Sequence, residues 1–106
     1  MKIEIRQIEH AEEKRTICRT ILEALPEWFG IPEAREEYIR ESADRLFFAA
    51  MDGEKPVGFL YLKETGRDTV ELYAMGVLKA RHRTGVGRAL VEAARRAARE
   101  AGYAFM

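Results

Sequence analysis

The chain has 106 residues, of which 47% are hydrophobic and 34% are charged, and its 18 basic side chains equal its 18 acidic ones in number. This length suits one domain with a real core, and the composition excludes a disordered or fibrous chain. No stretch is long and apolar enough for a membrane span, and the first residues are not typical of a signal peptide. A single cysteine and two separated histidines predict neither a disulfide nor a metal cluster, so we expect a protein of the reducing cytoplasm.

The first half of the sequence predicts one strand followed by two helices. Isoleucines alternate with polar residues over 2–8, as in a half-buried strand. Apolar residues recur at helical spacing over 11–25, where a proline ends the run, and Cys18 beside that stripe is expected to be buried. A short aromatic connection over 28–30 leads to a second helix, predicted over 32–43 because a proline suits a first helical turn.

Three strands are predicted in succession in the second half. The apolar runs 46–51 and 56–62 flank an Asp-Gly turn and predict a β-hairpin. Residues 69–78 are apolar on both faces of the pleat apart from Glu71, which is typical of a central strand covered on both sides. Gly76 within that strand indicates a bulge or a close approach of another part of the backbone.

A long helix is predicted to follow a glycine-containing loop and to run to about residue 101. Its packing stripe is expected to consist mostly of small residues, which would let it lie close to a sheet. The expected members of that stripe are Leu90, Ala94, Ala97 and Ala101. Residues 103–106 are an apolar stub typical of the start of a further strand, so the predicted order is β-α-α-β-β-β-α.

The loop before this helix has the features of a phosphate-binding turn. Free amides at a helix N-terminus favour anions, and Gly85 and Gly87 lie where the helix should begin. Seven basic residues and one acidic residue fall within 79–99, which suits an anionic partner, although a solvated helix face has the same composition. A dinucleotide fold would require a third glycine at Leu90, and a Walker loop would require Gly-Lys-Ser/Thr, which is absent. A Gly-x-Gly alone could be only a tight turn.

With this loop the sequence resembles the GNAT superfamily of N-acetyltransferases. The family signature is Arg/Gln-x-x-Gly-x-Gly/Ala after the fourth strand, and this chain has His82-Arg83-Thr84-Gly85-Val86-Gly87 there, with histidine at the first position. The resemblance covers essentially all 106 residues. It implies one domain with an α+β fold of three layers, in which helices cover both sides of a mainly antiparallel sheet that is truncated at the start of its fifth strand.

The resemblance also implies a co-substrate and its binding residues. The backbone around Met75 and Val77 would hydrogen-bond the pantetheine arm of acetyl-CoA, and no metal is expected. The diphosphate would be bound by the loop residues His82, Arg83, Thr84, Gly85, Val86, Gly87 and Arg88. The acceptor would be an amine of a small molecule or a protein, and Trp28, Phe29 and Tyr38 are candidates for its pocket beside an ordinary packing role.

Glu71 is the candidate general base. In the part of the family that uses a strand-borne glutamate, this residue lies eleven positions before the first motif residue, and Glu71 lies eleven before His82. It is also the one side chain of this otherwise apolar strand that is charged at neutral pH, and desolvation there would raise the pKa of its carboxyl. A glutamate that faces solvent or pairs with an arginine is the alternative.

Complete family members continue beyond the point where this sequence stops. The resemblance therefore predicts a fragment of a longer enzyme, with low activity or none by itself, or a second copy that covers the open edge of the strand over 69–78. The residue that protonates the leaving thiolate has no counterpart in this chain. A non-catalytic acyl-CoA-binding or interaction module is the alternative function. Nucleic-acid and membrane binding are not expected.

Overall fold

The computed structural model describes residues 3–105 and places five strands and four helices along them. The strands are β1 (Ile3–Ile8), β2 (Leu46–Asp52), β3 (Lys55–Gly66), β4 (Thr69–Val77) and β5 (Ala104–Phe105). The helices are α1 (Ala11–Glu23), α2 (Pro26–Phe29), α3 (Pro32–Ser42) and α4 (Val86–Glu100), and a short 3-10 turn spans Lys79–Arg81. The predicted aromatic connection is therefore itself a helical turn, α2.

The strands form one sheet in the order β1-β2-β3-β4-β5. The first four strands pair antiparallel, as the β2–β3 hairpin requires, and β5 pairs parallel with the start of β4. The sheet is thus mixed and mainly antiparallel, which confirms the predicted α+β fold. Because β5 pairs with β4 only at Thr69 and Val70, the rest of β4 is an edge among the described residues.

One face of the sheet packs against α1, α2 and α3 through an aromatic core. Phe47, Phe59 and Tyr61 are fully buried and stack with ring centroids 5.5 to 6.2 Å apart. The Tyr61 hydroxyl donates a 2.8 Å hydrogen bond to the carbonyl of Tyr38 on α3, which satisfies the one polar atom of the stack. Cys18 of α1 is buried in the same core, as expected.

The other face packs against α4 through a narrow stripe. The buried residues of this helix are Val86, Leu90, Ala94 and Ala98. The predicted stripe is therefore wrong at Ala101, which is exposed, and it omitted the buried Ala98, whereas Ala97 is half-buried and packs against this core. Alanines crowd the second half of the helix, so composition alone does not fix which of them face the sheet.

The structure confirms one expectation for β4 and corrects two others. Both faces of the strand are covered, since its residues belong to the core on the α1 side and to the core on the α4 side. Glu71, however, is exposed, and β4 is not a central strand, because no described strand pairs with its outer edge beyond Val70. The irregularity in the strand lies at Tyr73, since Tyr61 pairs with Ala74 and Leu62 pairs with Leu72. Gly76 instead marks a close approach: an added Cβ would lie 3.0 Å from Ile21 of α1 and 3.1 Å from Phe59.

Candidate functional site

A cleft of about 390 Å³ opens between the α1–α2 corner and the C-terminal half of β4. Its walls are mostly apolar on the side of α1 and α2, and basic where the chain passes from β4 to α4. The lining residues are Leu25, Trp28, Phe29, Met75, Gly76, Val77, Arg81, His82, Arg83 and Gly87. The cleft therefore brings together most of the residues predicted for the cofactor.

The strand edge presents backbone groups to this cleft. Leu78 donates a 2.9 Å hydrogen bond to the carbonyl of Val57, while Gly58 and Val77 lie directly opposite each other in the β3–β4 register. In an antiparallel ladder this arrangement makes Gly58 and Val77 a non-hydrogen-bonded pair. The N–H and C=O of Val77, and those of Met75 two residues earlier, thus point away from β3 toward the open edge.

The loop between the 3-10 turn and α4 has an unusual backbone. Arg83 has a positive φ of 66°, and Gly85, the residue before α4, has φ of 90°. The hydroxyl of Thr84 donates to the carbonyl of Arg81 at 2.5 Å and braces the turn. The left-handed φ explains why position 85 is a glycine. At Arg83, which has a side chain, the same conformation strains the backbone, and the surrounding turn keeps it in place.

This loop delivers free amides to the cleft. The first N–H groups of a helix have no acceptor within the helix, and Gly85 supplies no side-chain cap. The amides of Val86, Gly87 and Arg88 are therefore available to an anion, and the helix dipole adds to their attraction.

Gly87 has no structural reason to be a glycine. Among the described residues, outside its own helical turn, the one atom within 4 Å of an added Cβ would be the methyl group of Met75 at 4.0 Å, an ordinary contact distance, and Gly87 lies in the first turn of a regular helix. A larger side chain there would project into the cleft. The glycine keeps space for a ligand close to the main chain.

The basic residues around the loop divide into paired and unpaired groups. Arg81 is within 2.5 Å of the Asp52 carboxylate, and Lys79 is 2.9 Å from Glu27 of α2. Hydrogen bonding to Lys79 lowers the pKa of the Glu27 carboxyl. Within residues 3–105 the structure gives the exposed Arg83 and Arg88 no ion-pair partner, so both charges can neutralise an anion at the start of α4.

His82 lies at the strand edge. Its Nε2 atom is 2.7 Å from the carbonyl oxygen of Val77, and its ring meets Trp28 edge-on with centroids 5.6 Å apart. Because a carbonyl only accepts, Nε2 carries the proton of this hydrogen bond. The sequence predicted His82 for the diphosphate loop, and this contact places its side chain at the neighbouring strand edge.

Of the other predicted site residues, some line the cleft and some lie outside it. Trp28 and Phe29 line the cleft, whereas Tyr38 does not and packs against Phe29 and Tyr73. Glu71 lies outside the lining, in an exposed position toward the other end of β4. Leu25 also lines the cleft, although the sequence analysis assigned it only to the end of a helix. The one sequence signal for this role is the proline that follows it, which indicates that the chain changes direction there.

A polar cluster covers the sheet near Glu71. The Tyr73 hydroxyl donates to Glu41 at 3.2 Å, and Arg45 donates to the same carboxylate at 3.0 Å. The hydrogen bond from Arg45 lowers the pKa of Glu41, while desolvation and the nearby carboxylate raise the pKa of Tyr73. Lys63, opposite Glu71 in the ladder, lies 4.8 Å from the centroid of the Tyr73 ring. These contacts extend the aromatic core to the surface, and the buried Nε atom of Arg45 has no hydrogen-bond partner among the described residues.

The described residues contain neither a metal-binding cluster nor a membrane-spanning helix. Over 3–105, no three side chains of histidine, cysteine, aspartate or glutamate are grouped so that they could hold a metal ion. None of the helices in that range has the length and apolar character needed to cross a membrane.

A family comparison matches residues 8–106 to the model described as Acetyltransferase (GNAT) family. A comparison with curated proteins returned no match. Solved structures provide several neighbours of the same fold. PaiA N-acetyltransferase from Thermoplasma acidophilum, in complex with coenzyme A, is 23% identical with a TM-score of 0.73 and matches 96% of this chain and 75% of its own.

Two further neighbours have similar folds at low identity. A GNAT family acetyltransferase from Brucella melitensis, in complex with acetyl-CoA, is 19% identical with a TM-score of 0.77, over 96% of this chain and 71% of that one. The ribosomal-protein-S18-alanine N-acetyltransferase from Escherichia coli is also 19% identical with a TM-score of 0.77, over 97% of this chain and 63% of that one.

Proposed function

Because the chain belongs to the GNAT acetyltransferase family, we propose that it uses acetyl-CoA to acetylate a primary amine. The observation that carries this proposal is the cleft that joins an open strand edge to an uncapped helix N-terminus, with Gly87 between them. One ligand with an amide-rich arm and a diphosphate would use both features. Coenzyme A has both.

The residues of the cleft fit the parts of this co-substrate. The amides of Val86 and Gly87 would bind the diphosphate, with Arg83 and Arg88 supplying positive charge. The outward N–H and C=O groups of Met75 and Val77 would pair with the amides of the pantetheine arm, as an added strand does. The apolar side chains of Leu25 and Phe29 would line the same arm.

This placement sets the direction of the bound molecule. The diphosphate lies at the Val77 end of β4, so the thioester end lies toward Glu71, roughly 20 Å away for a strand that rises about 3.4 Å per residue. The bulge at Tyr73 shortens that path. The pantetheine arm is long enough to cover a distance of this order when it is extended.

We propose Glu71 as the general base of the transfer. The bound co-substrate supplies an acetyl group activated as a thioester. Glu71, directly or through a water molecule, would take the proton of the acceptor ammonium and so free its nitrogen lone pair for attack. A carbon–nitrogen bond then forms as the carbon–sulfur bond breaks. The electron pair leaves with the sulfur as a thiolate, and this thiolate takes up the second proton that the nitrogen loses when it becomes an amide.

A non-catalytic acyl-CoA-binding module is the second candidate, and the exposed position of Glu71 outside the cleft lining favours it. That this chain is part of a longer enzyme and is weakly active alone also stays a prediction, as does a cytoplasmic location. A second copy over the open β4 edge is a further prediction, which the hydrodynamic mass in solution would test.

Titration with acetyl-CoA, followed by assays of coenzyme A release with a panel of amines, separates the two candidates. An enzyme binds and turns over, whereas a module binds without turnover. For Glu71→Gln we expect slower turnover and a pH profile shifted to higher pH, because without this carboxylate the reaction depends on acceptor molecules that have already lost their proton. Acetyl-CoA affinity should change little.

The matched control is Glu54→Gln, which changes an exposed glutamate in the β2–β3 turn. This variant should keep both the rate and the pH profile. An unaltered pH profile in Glu71→Gln would remove this residue from the mechanism, and an absence of acetyl-CoA binding would refute the proposed function as a whole.

A further inference from the structure

The open edge of β4 is partly blocked by a side chain of the same protein. Val77 directs its carbonyl toward the edge, where an added strand would pair, and the Nε2–H of His82 already bonds to that oxygen at 2.7 Å. A paired strand would place its own N–H donor on the same oxygen, at about the same distance. The imidazole therefore competes with a pantetheine amide for this acceptor.

A second contact holds the imidazole at the edge. Trp28 of α2 meets the ring of His82 edge-on, with centroids 5.6 Å apart and planes at 70°. The Trp28 side chain is 57% exposed, so it lies at the mouth of the cleft and not in the core. An edge-to-face pair of this kind is a favourable arrangement for two aromatic rings.

An ion pair joins the same two walls. Glu27, the neighbour of Trp28, accepts a 2.9 Å hydrogen bond from Lys79, three residues before His82. The two contacts together connect α2 to the loop that leads into α4, across one side of the cleft. Both are exposed, and exposed contacts of this kind break at small cost.

We propose that His82 is a displaceable plug of the co-substrate site, held on the Val77 carbonyl by Trp28 and moved aside when coenzyme A binds. This inference rests on the proposed function. In this role the His82 side chain weakens coenzyme A binding, since its hydrogen bond must be broken before the pantetheine arm can pair with Val77. Removing the imidazole should therefore strengthen binding.

Calorimetric titration with coenzyme A tests this prediction. For His82→Ala we expect a dissociation constant about five-fold lower than that of the unaltered protein, the effect of one net hydrogen bond that no longer competes. His10→Ala is the matched control, because it removes the other histidine, which is exposed at the start of α1 and far along the chain from the cleft. Its dissociation constant should be unchanged.

Nitrogen NMR of the two histidines tests the displacement itself in the unaltered protein. In the free protein, His82 should be the tautomer with its proton on Nε2, hydrogen-bonded to a carbonyl. Saturation with coenzyme A should abolish that hydrogen bond and leave the signals of His10 in place. The single tryptophan, Trp28, gives a parallel fluorescence change on binding.

The outcomes separate the two proposals. If His82→Ala binds coenzyme A equally or more weakly, or if the Nε2 hydrogen bond persists in the saturated protein, the plug is refuted while acetyl-CoA binding stands. If neither the unaltered protein nor the variants bind coenzyme A, the proposed function fails and the plug fails with it.

Discussion

The centre of the sheet and the C-terminal half of β4 differ in which groups matter, side chains in the first region and backbone groups in the second. Residues 47–51 and 57–62 are all buried, and their side chains fill the space between two helical layers. At the end of β4, Met75 is 36% exposed, and the important groups are the backbone N–H and C=O of Met75 and Val77. Side chains thus define the core, whereas the main chain defines the candidate site.

The difference implies that the two regions respond to substitution in opposite ways. A change in the central strands should alter the free energy of unfolding, and it should affect binding only through unfolding. A change at an exposed cleft position, or at Gly87, should alter binding and leave stability almost intact. The predictions below test this separation.

The largest expected effect is that of Phe59→Ala. Phe59 is fully buried and stacks with both Phe47 and Tyr61, so the substitution removes a stacked ring and leaves a cavity. We expect a loss of about 3–5 kcal/mol in the free energy of unfolding, measured with urea. The variant fraction that remains folded should bind coenzyme A normally. A loss below about 1 kcal/mol would show that the aromatic stack is not the centre of stability.

A smaller effect concerns Cys18 and the pH. Burial in the α1 core raises the pKa of its thiol from 9.0 to about 12. Because the folded state holds this proton more tightly than the unfolded chain, its contribution to stability is complete below about pH 9 and is lost as the pH rises toward 12.

Comparison with Cys18→Ala isolates this contribution. The difference in unfolding free energy between the two proteins should be constant near neutral pH and should shrink in alkaline solution. Alkylation of Cys18 should be slow in the native protein and fast in urea. Equal alkylation rates under both conditions would contradict the burial of the thiol.

The core could be predicted from the sequence pattern, and the family resemblance predicted the role of the loop before α4. Runs such as 46–51 and 56–62 are strand-like because every side chain is apolar, and the structure confirms that hairpin. The register of α4 could not be predicted, since alanines at 93, 94, 97, 98 and 101 are equivalent in hydrophobicity. The tertiary packing selects among them.

The site geometry depends on information that side-chain patterns do not contain. The outward direction of the Val77 carbonyl follows from the β3–β4 register, and the positive φ of Arg83 follows from the turn that contains it. The contact between Trp28 and His82 joins residues 54 positions apart through the folding of α2 over the sheet edge. The exposure of Glu71 likewise depends on which strand lies beside β4.

Gly87→Leu provides the most direct test of the claim that the main chain at the start of α4 binds the diphosphate of coenzyme A. Leucine is the better helix former, and among the described residues its Cβ would meet only Met75, at 4.0 Å, so unfolding in urea should show unchanged or up to about 1 kcal/mol greater stability. Calorimetry on the same sample should show coenzyme A binding weakened about ten-fold or more, since the leucine side chain, unlike the alanine that the family signature permits here, would extend over the amides. Coenzyme A affinity equal to that of the unaltered protein would contradict the account.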